Sequence, residues 1–120
     1  MNPVEGLRIE ESDGVVVARL SGEIDLSNAH EAGDMLATSI PNTALGLVLD
    51  LTAVSYLDSS GVHLVFDLAE RLRKRQQELR VAVPEGAPIR RVLRIVELDS
   101  VVPVSATVED AVAQIRGAAG

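Results

Sequence analysis

Hydrophobic positions along the chain change period several times, and each change marks an element. Leu7-Arg8-Ile9-Glu10 alternates apolar with charged residues, Glu11-Ser12-Asp13-Gly14 supplies turn chemistry, and Val15 to Leu20 is a β-branched run. This sequence predicts a β-hairpin. From Ser27 to Ile40 the apolar residues Ala29, Ala32, Leu36 and Ile40 recur at helical spacing. Ser27 or Asn28 can cap that helix, with Glu31 placed for a capping box on Asn28. After Pro41, Leu45, Leu47, Leu49 and Leu51 alternate with Gly46, Val48 and Asp50, which is strand spacing.

A second helix is expected from Ser59 or Ser60 to about Gln77, with Val62, Val65, Phe66, Ala69 and Leu72 on its buried face. Leu79 to Val83 predicts a short strand. Pro88 suits the first position of a third helix, where its missing N–H costs nothing, and Ile89, Val92, Leu93 and Val96 form that helix's inner side. Val101 to Val104 predicts a last strand. Thr107, with Asp110 three residues on, caps a final helix carrying Val108, Ala111, Val112 and Ile115. The order ββαβαβαβα with short connections predicts an α/β fold, a mixed, mainly parallel sheet with an N-terminal hairpin and four helices. Arg19, Asp50 and Arg80 interrupt otherwise apolar strands, so one face of the sheet should be less fully covered than the other.

Length and composition narrow the possibilities. The 120 residues fit a single domain, and 47% hydrophobic residues supply a core. Without cysteine there is no disulfide, thiolate metal site or cysteine nucleophile. The Met1–Gly6 start lacks a basic segment followed by an apolar run, and no long apolar stretch occurs, so a cytoplasmic protein is expected, with no membrane partner. A net charge of -7 argues against nucleic acid as a partner. Arg71, Arg73, Lys74, Arg75 and Arg80 are expected on the solvated side of the second helix and its exit.

The chemistry concentrates in Asp50-Leu51-Thr52-Ala53-Val54-Ser55-Tyr56-Leu57-Asp58-Ser59-Ser60-Gly61, which leads from a strand into a helix. Sites in α/β proteins gather at such strand ends. Asp58, Ser59 and Ser60 are all good N-cap types, and Gly61 allows close packing. A hydroxyl at this place lies beside free N–H groups and the positive end of the helix dipole, which suits a phosphate.

Gly22-Glu23-Ile24-Asp25, Leu47-Val48-Leu49-Asp50-Leu51 and above all Tyr56-Leu57-Asp58-Ser59-Ser60-Gly61 resemble the STAS domain of bacterial anti-sigma-factor antagonists. The likeness continues through Pro88-Ile89-Arg90-Arg91-Val92-Leu93 and Thr107-Val108-Glu109-Asp110-Ala111, so that residues 1–120 read as one STAS domain with its core at about 7–115. The resemblance implies that Ser59 is phosphorylated by an anti-sigma factor that is itself a serine kinase, and that a phosphatase resets the switch. The unphosphorylated protein would bind that kinase and free its sigma factor. Asp25, Asp58, Ser59 and Ser60 would form the partner-binding surface. ATP and magnesium would belong to the partner, leaving this chain with no cofactor, no metal and no catalytic residue, as a monomer or weak dimer. His63 departs from the small residue frequent in the family; it falls one turn after Ser59 and could touch a partner or a phosphate.

Enzymatic readings fare worse. A serine nucleophile at Ser59 or Ser60 with His63 or His30 as base would lack a Gly-x-Ser-x-Gly elbow and an orienting acid. No glycine-rich phosphate loop occurs, and the only lysine, Lys74, is misplaced for an aspartate-phosphorylated receiver. The competing reading is a STAS binding or scaffold module, stressosome-like or sensing a small ligand, outside any sigma-factor pathway.

Overall fold

The computed structural model describes residues 6–119, so the Met1–Glu5 segment, on which the expectation about an export signal rests, lies outside them. Five strands, β1 (Arg8–Ser12), β2 (Val15–Ile24), β3 (Gly46–Leu57), β4 (Glu78–Ala82) and β5 (Val104–Ser105), form one sheet in sequential order. β1 runs antiparallel to β2, and the other neighbours are parallel. The helices are α1 (Ala29–Ser39), α2 (Ser59–Lys74), α3 (Pro88–Ile95) and α4 (Val108–Ala119), with a 3-10 turn at Leu98–Ser100. The expected ββαβαβαβα order is therefore present. The first three helices cover one face of the sheet over the larger core, which joins Val16, Ala18, Leu49 and Val81 to Leu36, Leu68, Leu72 and Leu93. Among the described residues only α4 covers the other face, where Ala111 and Ile115 meet Val15, Val17, Val48 and Ala82. The three charges within strands all fall on that second face, as the sequence suggests: the half-buried Arg19 Nη1 donates to the buried Asp50 Oδ2 at 2.8 Å, and Arg80 pairs with Glu78.

Asp13 and Gly14 make the hairpin turn, both at positive φ (52° and 85°), the geometry that two-residue hairpins require and that Asp-Gly tolerates. Beyond it, the two central strands run further than their alternation suggests. β2 continues through Gly22 (φ 80°) to Ile24, and β3 continues past the alternation that ends at Leu51, through Thr52–Leu57. Their register slips twice. Arg19 faces Asp50 and Ile24 faces Leu57, so five steps along β2 match seven along β3, with shifts after Arg19 and after Gly22. Each shift is a bulge that adds one residue to β3. Leu51, Val54 and Leu57 are consequently buried at three-residue intervals, with pairs of exposed residues between them.

Four further expectations need correction. α2 buries Leu64 and Leu68 together with Val65 and Leu72, while the expected Val62, Phe66 and Ala69 are only half-buried, because the helix packs on both the sheet and α1 and so needs a wider, rotated apolar face. Val96 lies at the C-terminal end of α3, past the buried Ile89 and Leu93, and is exposed. The last strand shrinks to Val104–Ser105, because Leu98–Ser100 turns as a 3-10 helix with Val101 as its C-cap, which leaves Val101 59% exposed. Arg75 is not simply solvated: its guanidinium donates to the Ala37 and Ile40 carbonyls and closes the C-terminal end of α1, where unpaired carbonyls and the dipole favour a cation.

Candidate functional site

The parallel strands β2 and β3 both end at the N-termini of helices, and their ends are tied together: the Asp58 N–H donates to the Ile24 carbonyl at 3.4 Å. Of the three candidate caps on α2, Asp58 takes the role. Its backbone is extended (φ -100°, ψ -169°), and its Oδ1 accepts from the amides of Ser60 at 2.8 Å and Gly61 at 3.3 Å. Two amides that the helix leaves unpaired are thereby satisfied. Ser59 becomes the first helical residue, exposed and free of the capping duty. Gly61 is buried because α2 enters tightly: a Cβ there would run into the Leu57 side chain and crowd Ile24.

Asp25 organises the neighbouring turn. Its carbonyl accepts from the amides of Asn28 at 3.2 Å and Ala29 at 2.9 Å, and its Oδ1 accepts from the Ser27 amide at 2.9 Å and hydroxyl at 2.5 Å. The Ser27 hydroxyl, then the Ser27 amide, hold the Asp25 carboxyl below the usual carboxylate range, since both bonds favour the charged form. Asn28 precedes α1, but the expected capping box does not form. Its side chain is turned back into the loop, accepting from the Asp25 amide at 3.0 Å and donating to the Glu23 carbonyl at 2.9 Å.

Between α1 and α2 runs an open groove of about 620 Å³, whose lining includes Ser59, Ser60 and His63 from α2. Ala29, Gly33 and Leu64 make its apolar part, and Leu26, 82% exposed, stands at its rim. Further along the groove Arg71 spans the two helices, bonding Asp34 of α1 and Asp67 of α2 at 3.1 Å each, while His30 Nε2 lies 3.3 Å from Asp34. Exposed pairs of this kind contribute about 0–1 kcal/mol each, so they orient side chains more than they stabilise the fold. The groove therefore has a polar, cross-linked end and an apolar rim beside the exposed Ser59, which is not the cap.

The structure thus brings Ser59, Ser60 and His63 together on the groove, with Asp58 at its head as the cap. Asp25 is not among the lining residues, although its turn is joined to the Asp58 turn through the Ile24 carbonyl. Sequence spacing missed Leu26, Asp34 and Asp67. An isolated leucine between Asp25 and Ser27, in a turn otherwise made of polar residues, was the one available signal for Leu26. Among the described residues no group of histidines and carboxylates is arranged to hold a metal ion, and no helix is long and apolar enough to cross a membrane.

A mixed five-stranded sheet with three helices on one face, one on the other, and an aspartate-capped helix opening on an exposed serine defines an architectural class that known proteins share. Residues 7–111 match the STAS domain, and the chain belongs to that family. RsfB of Mycobacterium tuberculosis, an anti-sigma-F factor antagonist, is 28% identical over 109 residues, covering 91% of this chain and 88% of RsfB. The crystal structure of an anti-sigma factor antagonist from Mycobacterium paratuberculosis superposes with a TM-score of 0.81 at 31% identity, covering 92% of each chain. That of the anti-sigma factor antagonist SpoIIAA in its unphosphorylated form gives 0.74 at 26% identity, over 92% of this chain and 96% of SpoIIAA.

Proposed function

We propose that this protein is an anti-sigma-factor antagonist that binds an anti-sigma factor with serine kinase activity while unphosphorylated, and that phosphorylation of Ser59 ends the binding. The observation that carries this reading is the division of labour at α2: Asp58 caps the helix, so the exposed Ser59 hydroxyl is available at the head of a groove. The names of the similar proteins support the antagonist role, and the description of SpoIIAA as unphosphorylated supports a switch by phosphate. ATP and magnesium come with the kinase; this chain contributes the acceptor hydroxyl and the docking surface.

On this reading the partner covers the Leu26 rim and the Ser59–His63 turn. A phosphate on Ser59 adds about -1.5 to -2 charge at the start of a helix, where the dipole favours it by roughly 0.3–1 kcal/mol, so the fold tolerates it. Against a carboxylate about 6 Å away, such as Asp58, the repulsion is roughly 1.4–5.5 kcal/mol for dielectrics of about 80–20, with solvent exposure favouring the lower figure. The greater cost falls on the complex, in which the dianion must lose water against the partner, and each 1.4 kcal/mol or so is tenfold in affinity. The test is to incubate the purified chain with ATP and each candidate kinase anti-sigma factor, mapping phosphate by mass spectrometry and complexes by gel filtration. Label on the Ser59 peptide, absent in Ser59→Ala, with loss of the complex on labelling, is expected. Neither label nor complex with any candidate, or label confined to Ser60, would overturn the reading.

A further inference from the structure

Among the described residues the sheet has an open edge at β1, along which charges of both signs lie. All five residues of Arg8–Ser12 are exposed, and no described element pairs with the far side of the strand. Arg8 lies directly opposite Arg19 on β2, a like-charge pairing that disfavours the ladder. Arg19 is answered twice, by Glu10 Oε1 at 2.7 Å and Asp50 Oδ2 at 2.8 Å; Arg8 makes no ion pair among the described residues. Arg8, Glu10 and Arg19 share the sheet face that carries α4, since each lies across from, or alternates with, Val17. Ile9, opposite Ala18 on the other face, is 42% exposed.

We infer that β1 is a homodimer edge, on which a second copy of this chain adds its own β1 antiparallel about a two-fold axis through Ile9. The axis stands perpendicular to the sheet, so opposed residues keep to one face only when the register is centred on a residue. Centring on Glu10 would oppose the two glutamates. Centring on Ile9 opposes the two isoleucines on the face that carries three helices and sets Arg8 against the partner's Glu10 twice on the other. The charges then alternate across the joined sheet as Asp50, Arg19, Glu10 and the partner's Arg8, and the repulsion between Arg8 and Arg19 is relieved. Charged edge strands ordinarily discourage pairing; here the mixed signs two residues apart favour one register instead. A strand of five residues makes a small interface, so the dimer is expected to be weak, with a Kd roughly in the micromolar to millimolar range.

Sedimentation velocity of the full chain from about 10 μM to about 1 mM, a span chosen for that affinity, tests this. The wild type should show concentration-dependent dimerisation. Arg8→Glu and Glu10→Arg, both at exposed positions, should each weaken it about tenfold or more, because two attractive cross-strand pairs become repulsive. An equimolar mixture of the two variants should recover association as a heterodimer. One chain then carries glutamate at both positions and its partner arginine at both, so each pair across the axis is again of opposite sign. Unchanged circular dichroism establishes that each variant is folded. A wild type that stays monomeric throughout, reversals that associate as the wild type does, or a mixture that fails to recover would each overturn the assignment. None of these outcomes depends on a kinase or on phosphate at Ser59.

Discussion

Replacing Asp58 by alanine removes the side chain that answers the amides of Ser60 and Gly61 at the start of α2, bonds of 2.8 and 3.3 Å. Loss of an N-cap costs about 0.5–2 kcal/mol. The value here should lie near the middle, about 1 kcal/mol, since the carboxylate also interacts with the positive end of the helix dipole but is partly open to water. For a chain of 120 residues that is a fall in Tm of roughly 3–6 °C. Urea denaturation at neutral pH, comparing Asp58→Ala with Asp58→Asn and Ser59→Ala, separates cap from neighbour. Asparagine caps almost as well as aspartate and should recover most of the loss. Ser59→Ala, at an exposed first helical position, should change stability by less than about 0.5 kcal/mol. A Ser59→Ala variant as destabilised as Asp58→Ala would refute the assignment of the cap and, with it, the argument that the Ser59 hydroxyl is free.

Gly61→Ala should destabilise by about 1–3 kcal/mol, read from the same denaturation curves, because the added methyl meets Leu57 and Ile24 where the helix enters the core. The Asp25 carboxyl should titrate below the ordinary carboxylate range in a carbon-detected NMR experiment, and Ser27→Ala should raise its midpoint. The sign follows from that lowered pKa: the turn's contribution is present above the ordinary carboxylate range and is lost as pH falls through the folded-state value. A midpoint unmoved by Ser27→Ala would mean that the Ser27 bonds are not made in solution.

The helices and the order of elements were legible because their signals are local: the Asp-Gly turn, Pro88 at the start of α3 and Thr107 before α4 each act within a few residues. The Thr107 hydroxyl does accept from the Asp110 amide. Thr52–Leu57 was harder, since it has neither the alternation of a strand nor the spacing of a helix; two bulges explain why, as each advances the buried position by one extra residue. The triplet Leu51, Val54, Leu57 was a readable trace of this. Choosing among Asp58, Ser59 and Ser60 needed coordinates, because all three side chains can cap and only the entry direction of the backbone decides. The groove was beyond reach for a related reason. Its walls come from two helices, and the pairing of Asp34 with Arg71 is set by how those helices pack, not by spacing within either.

The paired bulges of β3 also set a rule for changes of length. Because side chains alternate between faces, five steps and seven steps along neighbouring strands return to the same side, whereas five and six would not. A single residue deleted between Thr52 and Tyr56 would therefore turn Leu57 toward water and Asp58 toward the core. Deleting two would keep the faces but draw the start of α2 back by about 6–7 Å along the strand, away from the turn of Asp25. Length in this segment is thus a matter of odd and even: it can vary in steps of two without exchanging inside for outside, and only the present count brings both turns to one level.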